Sequence, residues 1–331
     1  MHPSSSLMAL SCTAIPSLVL LLCFQGAIAA KFTFVNNCEQ TVWPGILGTP
    51  KLDATGFELT KGTSRTFQAP TGWSGRFWGR TGCNFDDSGQ GSCLTGDCGS
   101  GQMECNGEGA QPPATLAEFT LGTAGSQDFY DVSLVDGFNL PMMVDVSGGG
   151  SGHCAPTGCG DDLNQKCPAE LRTEGGRACR SACEAFKTPQ YCCSGAYGSP
   201  STCSPSVYSQ IFKSVCPKSY SYAYDDTTST FTCTDADYII TFCPSSSSPA
   251  SKKGSNSSTT VGSGSGSEPA PESGSGAGAA VGTGETAMLA DGTWLASLAT
   301  GDSTTIHPFT AIQFLSSIIA LVVLHNLFML L

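Results

Sequence analysis

The chain has 331 residues, with 27 acidic and 15 basic side chains and a formal net charge of −12 at pH 7. Nucleic acid is therefore excluded as a partner, because its binding needs a basic surface. The 18 cysteines are typical of a disulfide framework formed in an oxidising compartment. Structural zinc is the alternative, but residues 30–244 contain a single histidine, His153, and no Cys-x-x-Cys pair. We expect neither a metal site nor a cofactor.

Residues 1–29 predict a secretory signal peptide. An apolar block at residues 17–24 is followed by small residues that end in Ala27-Ile28-Ala29, the A-x-A pattern of a cleavage site. No Lys or Arg precedes the block, although export signals usually carry one. A membrane span is the alternative, but it needs about 20 apolar residues. Two cysteines lie in this segment, so 16 remain, all between Cys38 and Cys243.

Residues 30–244 predict one folded domain that is mainly β. Tyr130, Val132 and Leu134 alternate with Asp131 and Ser133, which predicts a strand with an apolar and a polar face. Gly and turn residues separate such runs in the first half of the domain, a pattern that favours a β-sandwich. Two further strands are predicted, at residues 31–35 and 116–121.

Two helices are predicted in the cysteine-rich second half of the domain. The Ser-Pro pair at residues 204–205 provides an N-cap and a proline at the first helical position. Val207, Ile211 and Val215 then fall on one helix face. A second, short helix pinned by two disulfides is predicted over residues 177–187.

The composition changes after Pro244. Residues 245–301 are rich in Ser, Gly, Ala, Pro and Thr, and they cannot bury enough apolar surface to fold, so a flexible stalk is expected. Asn256, followed by Ser257 and Ser258, forms the only N-x-S/T glycosylation site of the chain.

Residues 302–331 predict the signal for a glycosylphosphatidylinositol (GPI) anchor. Small residues around position 301 precede a hydrophobic tail at residues 312–331, the order that this signal requires. The attachment residue is expected near Gly301 or Ser303. A retained membrane helix is the alternative, but no Lys or Arg follows Lys253, and a retained helix normally has basic residues on its cytoplasmic side.

Short motifs in residues 30–244 resemble the thaumatin-like family of plant pathogenesis-related proteins. They are residues 41–44 (TVWP), 89–98 (GQGSCLTGDC), 112–119 (PPATLAEF), 136–142 (DGFNLPM) and 191–193 (YCC). The resemblance includes the 16 cysteines in the family's order but does not cover the stalk and tail. It implies three lobes: a flattened β-sandwich, a disulfide-rich helical lobe and a small disulfide-closed loop lobe.

The resemblance also implies the disulfide pairing, which the spacing of cysteines cannot determine. The implied pairs are Cys38–Cys243, Cys83–Cys93, Cys98–Cys105, Cys154–Cys233, Cys159–Cys216, Cys167–Cys179, Cys183–Cys192 and Cys193–Cys203.

The family carries an acidic cleft between the sandwich and the helical lobe. Matched residue by residue, the acidic cleft of this chain is formed by Arg76, Glu118, Asp131, Asp136 and Asp225. The alternation around Asp131 places its side chain on the polar face of its strand, and we expect both Glu118 and Asp131 to project into solvent. The match of Asp225 is weaker, because Asp226 adjoins it and Thr227 stands where the family usually has proline.

Two functions follow from this resemblance. The first is a secreted, surface-tethered defence protein that binds β-1,3-glucan or other fungal wall or membrane components, since carboxylates and Arg hydrogen-bond sugar hydroxyls. The alternative is a weak endo-β-1,3-glucanase, with Glu118 as the acid and Asp131 or Asp136 as its partner; an inert acidic surface ranks third. We expect a monomer on the outer face of the plasma membrane or in the apoplast.

Overall fold

The computed structural model describes residues 30–123 and 125–244. Twelve strands make up two five-stranded sheets and a two-stranded ribbon. The strands are β1 (Ala30–Asn36), β2 (Trp43–Thr49), β3 (Ser64–Ala69), β4 (Ser74–Arg80), β5 (Asn84–Phe85), β6 (Gly91–Ser92), β7 (Leu116–Thr120), β8 (Asp128–Ser133), β9 (Met142–Gly148), β10 (Thr157–Cys159), β11 (Phe231–Cys233) and β12 (Ala236–Phe242). The predicted strands at residues 31–35 and 116–121 are confirmed as β1 and β7.

In each large sheet, the order of the strands differs from their order along the chain. Sheet 1 runs β10-β9-β12-β1-β3 and sheet 2 runs β11-β8-β7-β4-β2. All pairings are antiparallel except that of β1 with β12, which lie parallel in the middle of sheet 1. The first and last strands of the domain are therefore direct neighbours.

Aromatic side chains from both sheets fill the core of the sandwich. The ring of Phe119 on sheet 2 lies 4.8 Å from that of Phe32 and 4.9 Å from that of Tyr238 on sheet 1. Tyr130 and Val132 are completely buried in the same core. The predicted β-sandwich is thus confirmed, as is the apolar face of β8 for Tyr130 and Val132. The prediction was wrong for Leu134, which lies one residue beyond β8 and belongs to a different hydrophobic cluster.

The helical lobe contains four short α-helices and several 3₁₀ turns. The helices are α1 (Ala182–Phe186), α2 (Pro189–Cys192), α3 (Val207–Val215) and α4 (Asp226–Ser229). The 3₁₀ turns lie at Leu163–Lys166, Ala169–Leu171, Glu174–Gly176 and Gly195–Tyr197. Leu134 and Phe138 pack with this lobe in a second, smaller hydrophobic cluster.

Both helix predictions were partly wrong. The predicted helix at 177–187 begins only at Ala182, because Cys179 forms an extended bridge with Phe138 and Ser181 provides the N-cap. The predicted start at residues 204–205 is two residues early.

At the start of α3, Ser206 caps the helix through a reciprocal pair of hydrogen bonds with Ser209. The helix buries Ser209 and Phe212, whereas Val207 is 66% exposed. The face predicted from Val207 is therefore not the buried one.

Eight disulfides lie within the described residues. They join Cys38–Cys243, Cys83–Cys93, Cys98–Cys105, Cys154–Cys233, Cys159–Cys216, Cys167–Cys179, Cys183–Cys192 and Cys193–Cys203. These are the same pairs that the family resemblance implies. Two of them close the small loop lobe, and the buried Arg80 ties that lobe to sheet 2 by donating to the carbonyl oxygens of Trp43 and Met103, at 2.9 and 2.6 Å.

The predicted export, stalk and anchor segments lie outside the described residues. They comprise residues 1–29, 245–301 with Asn256, and 302–331. Among the residues that are described, none of the helices has the length and apolarity needed to cross a membrane.

Candidate functional site

Three charged residues form a row across the outer face of sheet 2. Arg76 on β4 pairs with Glu118 on β7, which pairs with Asp131 on β8. Directly opposed residues of antiparallel strands have Cβ atoms about 4.5–5.5 Å apart, so the three side chains lie next to one another. We call Arg76, Glu118 and Asp131 the acidic row. Three of the five residues predicted for the acidic cleft are thus brought together by strand register.

The acidic row is buried, and the expectation that Glu118 and Asp131 project into solvent is wrong. Arg76, Glu118 and Asp131 are 6%, 3% and 1% exposed. A segment of the helical lobe lies along β8 beside the acidic row. Tyr220 of that segment forms a parallel bridge with Ser133, accepts a hydrogen bond from the backbone N–H of Leu134 and donates one to the carbonyl of Val132, both at 2.9 Å.

Polar atoms in the acidic row lack partners. Among the described residues, Arg76 Nε, Glu118 Oε1 and Asp131 Oδ1 are buried without a hydrogen bond. A buried polar atom without a partner costs about 1–3 kcal/mol, and more when the group is charged. Four further atoms of this kind occur elsewhere in the described domain, but in the acidic row three neighbouring charged residues carry them. Each such atom calls for an explanation, so the acidic row is the first candidate for a ligand-binding or catalytic site.

Burial also changes the protonation of the acidic row. Desolvation raises the pKa of Glu118 to about 7, with the nearby Arg76 opposing this shift and Asp136 adding to it. Desolvation, Glu118 and Asp226 hold the pKa of Asp131 well above its usual range. Two carboxylates that face each other in low dielectric cannot both ionise easily, so the pair retains a proton near neutral pH.

Asp136 lies at the edge of the acidic row, on the turn that follows β8. Gly137 closes this turn with a φ of 90°, and its N–H donates to the carbonyl of Leu134 at 3.0 Å. A Cβ atom on Gly137 would stand 2.7 Å from the carbonyl oxygen of Cys179, so the turn packs tightly against the helical lobe. Asp136 is half-buried, and desolvation raises its pKa to about 6, with Arg76 opposing the shift.

Asp225 has a different role from the other cleft residues. Its Oδ2 accepts hydrogen bonds from the N–H and hydroxyl of Ser221, at 2.9 and 2.8 Å, and pairs with Lys213 Nζ at 2.9 Å. The carboxylate therefore holds the loop at residues 221–225 and has little capacity left for a ligand.

Asp226 and Tyr220 belong to the site but were missed by the sequence analysis. The carboxylate of Asp226 raises the pKa of Asp131, and it accepts a hydrogen bond from the Tyr220 hydroxyl at 2.9 Å. The Asp-Asp pair was visible in the sequence, but nothing there distinguished its two members. Tyr220 gave no signal at all. No group of three or more His, Cys, Asp and Glu side chains able to hold a metal ion was found among the described residues.

Sequence comparisons agree with the observed fold. Residues 36–244 match the model of the Thaumatin family. Thaumatin-like protein 1 of Arabidopsis thaliana is 68% identical over 66% of this chain and 88% of its own length. Pathogenesis-related protein 5 of Arabidopsis thaliana is 58% identical over 69% of this chain and 95% of its own length. A protein of Prunus avium named glucan endo-1,3-beta-glucosidase is 53% identical over 68% of this chain and 94% of its own length. Because the Thaumatin family model matches residues 36–244, which are most of this chain, the chain belongs to the thaumatin family.

Proposed function

We propose that this protein is a defence protein that binds β-1,3-glucan or related components of fungal walls and membranes through the acidic cleft. The observation that carries the proposal is the acidic row, in which strand register gathers Arg76, Glu118 and Asp131 and leaves a polar atom of each without a partner. Buried polar atoms without a partner call for an explanation in a native fold, and the hydroxyl groups of a bound ligand would provide one here.

The chemistry of the acidic cleft suits a polyhydroxyl ligand. Carboxylate oxygens accept hydrogen bonds from sugar hydroxyls, and hydrogen bonds to charged groups are the stronger ones. The half-buried Asp136 provides the approach from solvent to the acidic row. The names of two relatives, pathogenesis-related protein 5 and glucan endo-1,3-beta-glucosidase, support a defence role and a glucan ligand.

The proposal is tested by titration calorimetry with a linear β-1,3-glucan hexaose. We expect binding by the wild-type protein and about a tenfold loss of affinity in Glu118→Gln and in Asp131→Asn, because each replaces a carboxyl group that would hydrogen-bond the ligand. Asp87→Asn is the control, since Asp87 is an exposed acidic residue of the loop lobe. If the wild-type protein does not bind the hexaose, the glucan ligand is wrong. If both cleft variants bind normally, the acidic cleft is not the site.

Hydrolysis of β-1,3-glucan is the second candidate function. It is favoured by the raised pKa of Glu118, about 7, which keeps a proton available for the leaving oxygen near neutral pH. Asp131, directly opposite, or Asp136 would act as base or nucleophile. Release of reducing sugar from linear β-1,3-glucan tests this function. If Glu118→Gln loses the hydrolytic activity but still binds the hexaose, the protein is an enzyme. If the wild-type protein releases no reducing sugar, the hydrolytic function is wrong and only the binding function stands.

We also propose that the protein is exported and held on the outer face of the plasma membrane as a monomer. Eight disulfides in the described domain support passage through an oxidising compartment. Residues 1–29 would be removed, residues 245–301 would form a stalk glycosylated at Asn256, and a GPI lipid would be attached near Gly301 or Ser303.

A further inference from the structure

A pocket of about 50 Å³ opens on the helical lobe. Three half-buried tyrosines and several serines line it. We call it the tyrosine pocket, and its defining residues are Tyr191, Tyr208, Tyr222, Ser206, Ser221 and Val135. Since one water molecule needs about 10–15 Å³ of such space, the pocket has room for a few waters or for part of a sugar ring.

The tyrosine pocket lies beside the acidic cleft. On one side, Val135 immediately precedes the cleft residue Asp136. On the other side, the hydroxyl of Ser221 donates to the Asp225 carboxylate at 2.8 Å. Burial raises the pKa of Tyr222, and the carboxylates of Asp225 and Asp226 add to this shift. The tyrosine pocket and the acidic cleft thus share the turn at residues 135–136 and the loop at residues 221–225.

The lining of the tyrosine pocket favours a neutral polyhydroxyl ligand. No charged side chain is among the lining residues, and the adjacent carboxylates repel anions. Tyrosine rings offer apolar faces to the C–H face of a sugar ring, while their hydroxyls reach polar groups at its rim. The hydroxyls of Tyr191 and Tyr222 form no hydrogen bond to the residues that the structure describes, whereas the Tyr208 hydroxyl donates to Glu170 at 3.0 Å.

The acidic row cannot provide this contact area itself. Glu118 and Asp131 are 3% and 1% exposed, so a polysaccharide that reaches them touches only a few atoms. Binding of a sugar chain requires more surface than this, and ligand sites are typically concave and rich in aromatic side chains. The tyrosine pocket is the neighbouring surface that has both properties.

We propose that the tyrosine pocket is a sugar subsite of the acidic cleft, in which one glucose unit of a β-1,3-glucan stacks on Tyr191 and Tyr222. This inference rests on the proposed glucan binding. The acidic row then anchors one unit of the chain by hydrogen bonds, and the pocket fixes the adjacent part of the chain through ring contacts.

Titration of the purified protein with the linear β-1,3-glucan hexaose tests the proposal. We expect Tyr191→Ala and Tyr222→Ala each to lower the affinity about five- to tenfold, because each removes a stacking face from the ligand. Tyr191→Phe and Tyr222→Phe keep the face and remove only a hydroxyl that has no partner in the described structure, so they should fold normally and retain most of the affinity. Tyr197→Ala is the matched control, because Tyr197 is 37% exposed on the same lobe and does not line the pocket.

The outcomes separate this inference from the function on which it rests. If the wild-type protein does not bind the hexaose, the proposed function fails and the subsite fails with it. If the wild-type protein binds while the Ala variants of Tyr191 and Tyr222 bind equally well, the subsite is overturned and glucan binding stands. An equal loss in Tyr197→Ala would also overturn it, since the effect would then not belong to the pocket. Should an Ala variant fail to fold, a Phe variant that binds tenfold more weakly would contradict stacking as the main contact.

Discussion

Glu118 and Asp131 lie directly opposite each other on adjacent antiparallel strands, and together they leave almost no surface to solvent. Like charges in such a pair destabilise a sheet, and burial increases the cost of ionising either one. Arg76, which is also opposite Glu118, offsets this cost only in part. The acidic row is therefore a site where stability depends on protonation.

The first prediction concerns the pH dependence of stability. The pKa of Glu118 rises from 4.5 in the unfolded chain to about 7 in the native state, so the native state binds the proton more tightly. The contribution of Glu118 to the free energy of unfolding is therefore at its maximum below pH 4.5, and it is lost as the pH rises towards 7. Glu118→Gln removes this loss. We expect the free energy of unfolding of the variant to exceed that of the wild type by about 2–3 kcal/mol at pH 8 and to equal it near pH 4.

Guanidinium unfolding at the two pH values measures this difference. Glu108→Gln is the control, because Glu108 is exposed and its substitution should leave stability unchanged at both. A Glu118→Gln protein that differs from the wild type by the same amount at pH 4 and pH 8 would contradict the raised pKa.

The second prediction separates Asp225 from Asp226. Asp225 accepts two hydrogen bonds from Ser221 and an ion pair from Lys213, with its side chain 13% exposed. We expect Asp225→Asn to lower the free energy of unfolding by about 2 kcal/mol, since it removes the ion pair with Lys213 and the charge on the acceptor of the two Ser221 hydrogen bonds. Asp226 is exposed, and an Asn in its place still accepts from Tyr220, so Asp226→Asn should cost less than about 1 kcal/mol. Chemical denaturation ranks the two variants, and the reverse order would show that Asp225 does not hold the loop.

The third prediction concerns the disulfide between Cys38 and Cys243, which are 205 residues apart. Replacing both cysteines with Ser should lower the free energy of unfolding by about 5 kcal/mol in the chain-entropy model. The reason is that this bridge closes the longest loop of the eight disulfides and so restricts the unfolded chain more than the others. The pair Cys83 and Cys93, 10 residues apart, is the matched control, with an expected cost of about 3 kcal/mol. Resistance to protease should fall in the same order. Equal costs for the two pairs would mean that native contacts, rather than loop length, determine the contribution of each bridge.

The fourth prediction tests the lipid anchor. Treatment of intact membranes with a phospholipase specific for phosphatidylinositol should release the protein, because the predicted anchor is a glycolipid attached near Gly301 or Ser303. Replacing both residues with bulky Leu should reduce attachment, while the same change at Ser263 and Ser265 within the stalk should not. Protein that stays on the membrane with residues 312–331 detectable by mass spectrometry would identify a retained helix instead.

The sequence predicted the sandwich well, because strand faces follow from local alternation. Tyr130 and Val132 are buried as their spacing predicts, and strand register then aligns Glu118 with Asp131. The burial of the acidic row was not predictable in the same way. Tyr220 of the helical lobe contacts β8 from about 90 residues further along the chain, and alternation within β8 carries no information about what covers its polar face.

The helix boundaries were predicted wrongly for a more local reason. Ser204 and Ser206 are both good N-caps by residue type, and only the reciprocal bonds between Ser206 and Ser209 decide between them. At α1, the four-residue spacing of Cys179 and Cys183 is typical of a helix, but Cys179 is held in an extended bridge to Phe138. Tertiary contacts of this kind override a short periodic pattern.

The closing bridge of the domain also determines how it carries mechanical load. Cys243 follows β12, which lies between β9 and β1 in the middle of sheet 1, and its disulfide partner Cys38 stands just after β1. A pulling force applied to the chain beyond Pro244 therefore reaches a covalent bond before it reaches the hydrogen bonds of β12. While the bridge is intact, such a force is shared between β12 and β1, so β12 is not pulled from the sheet on its own.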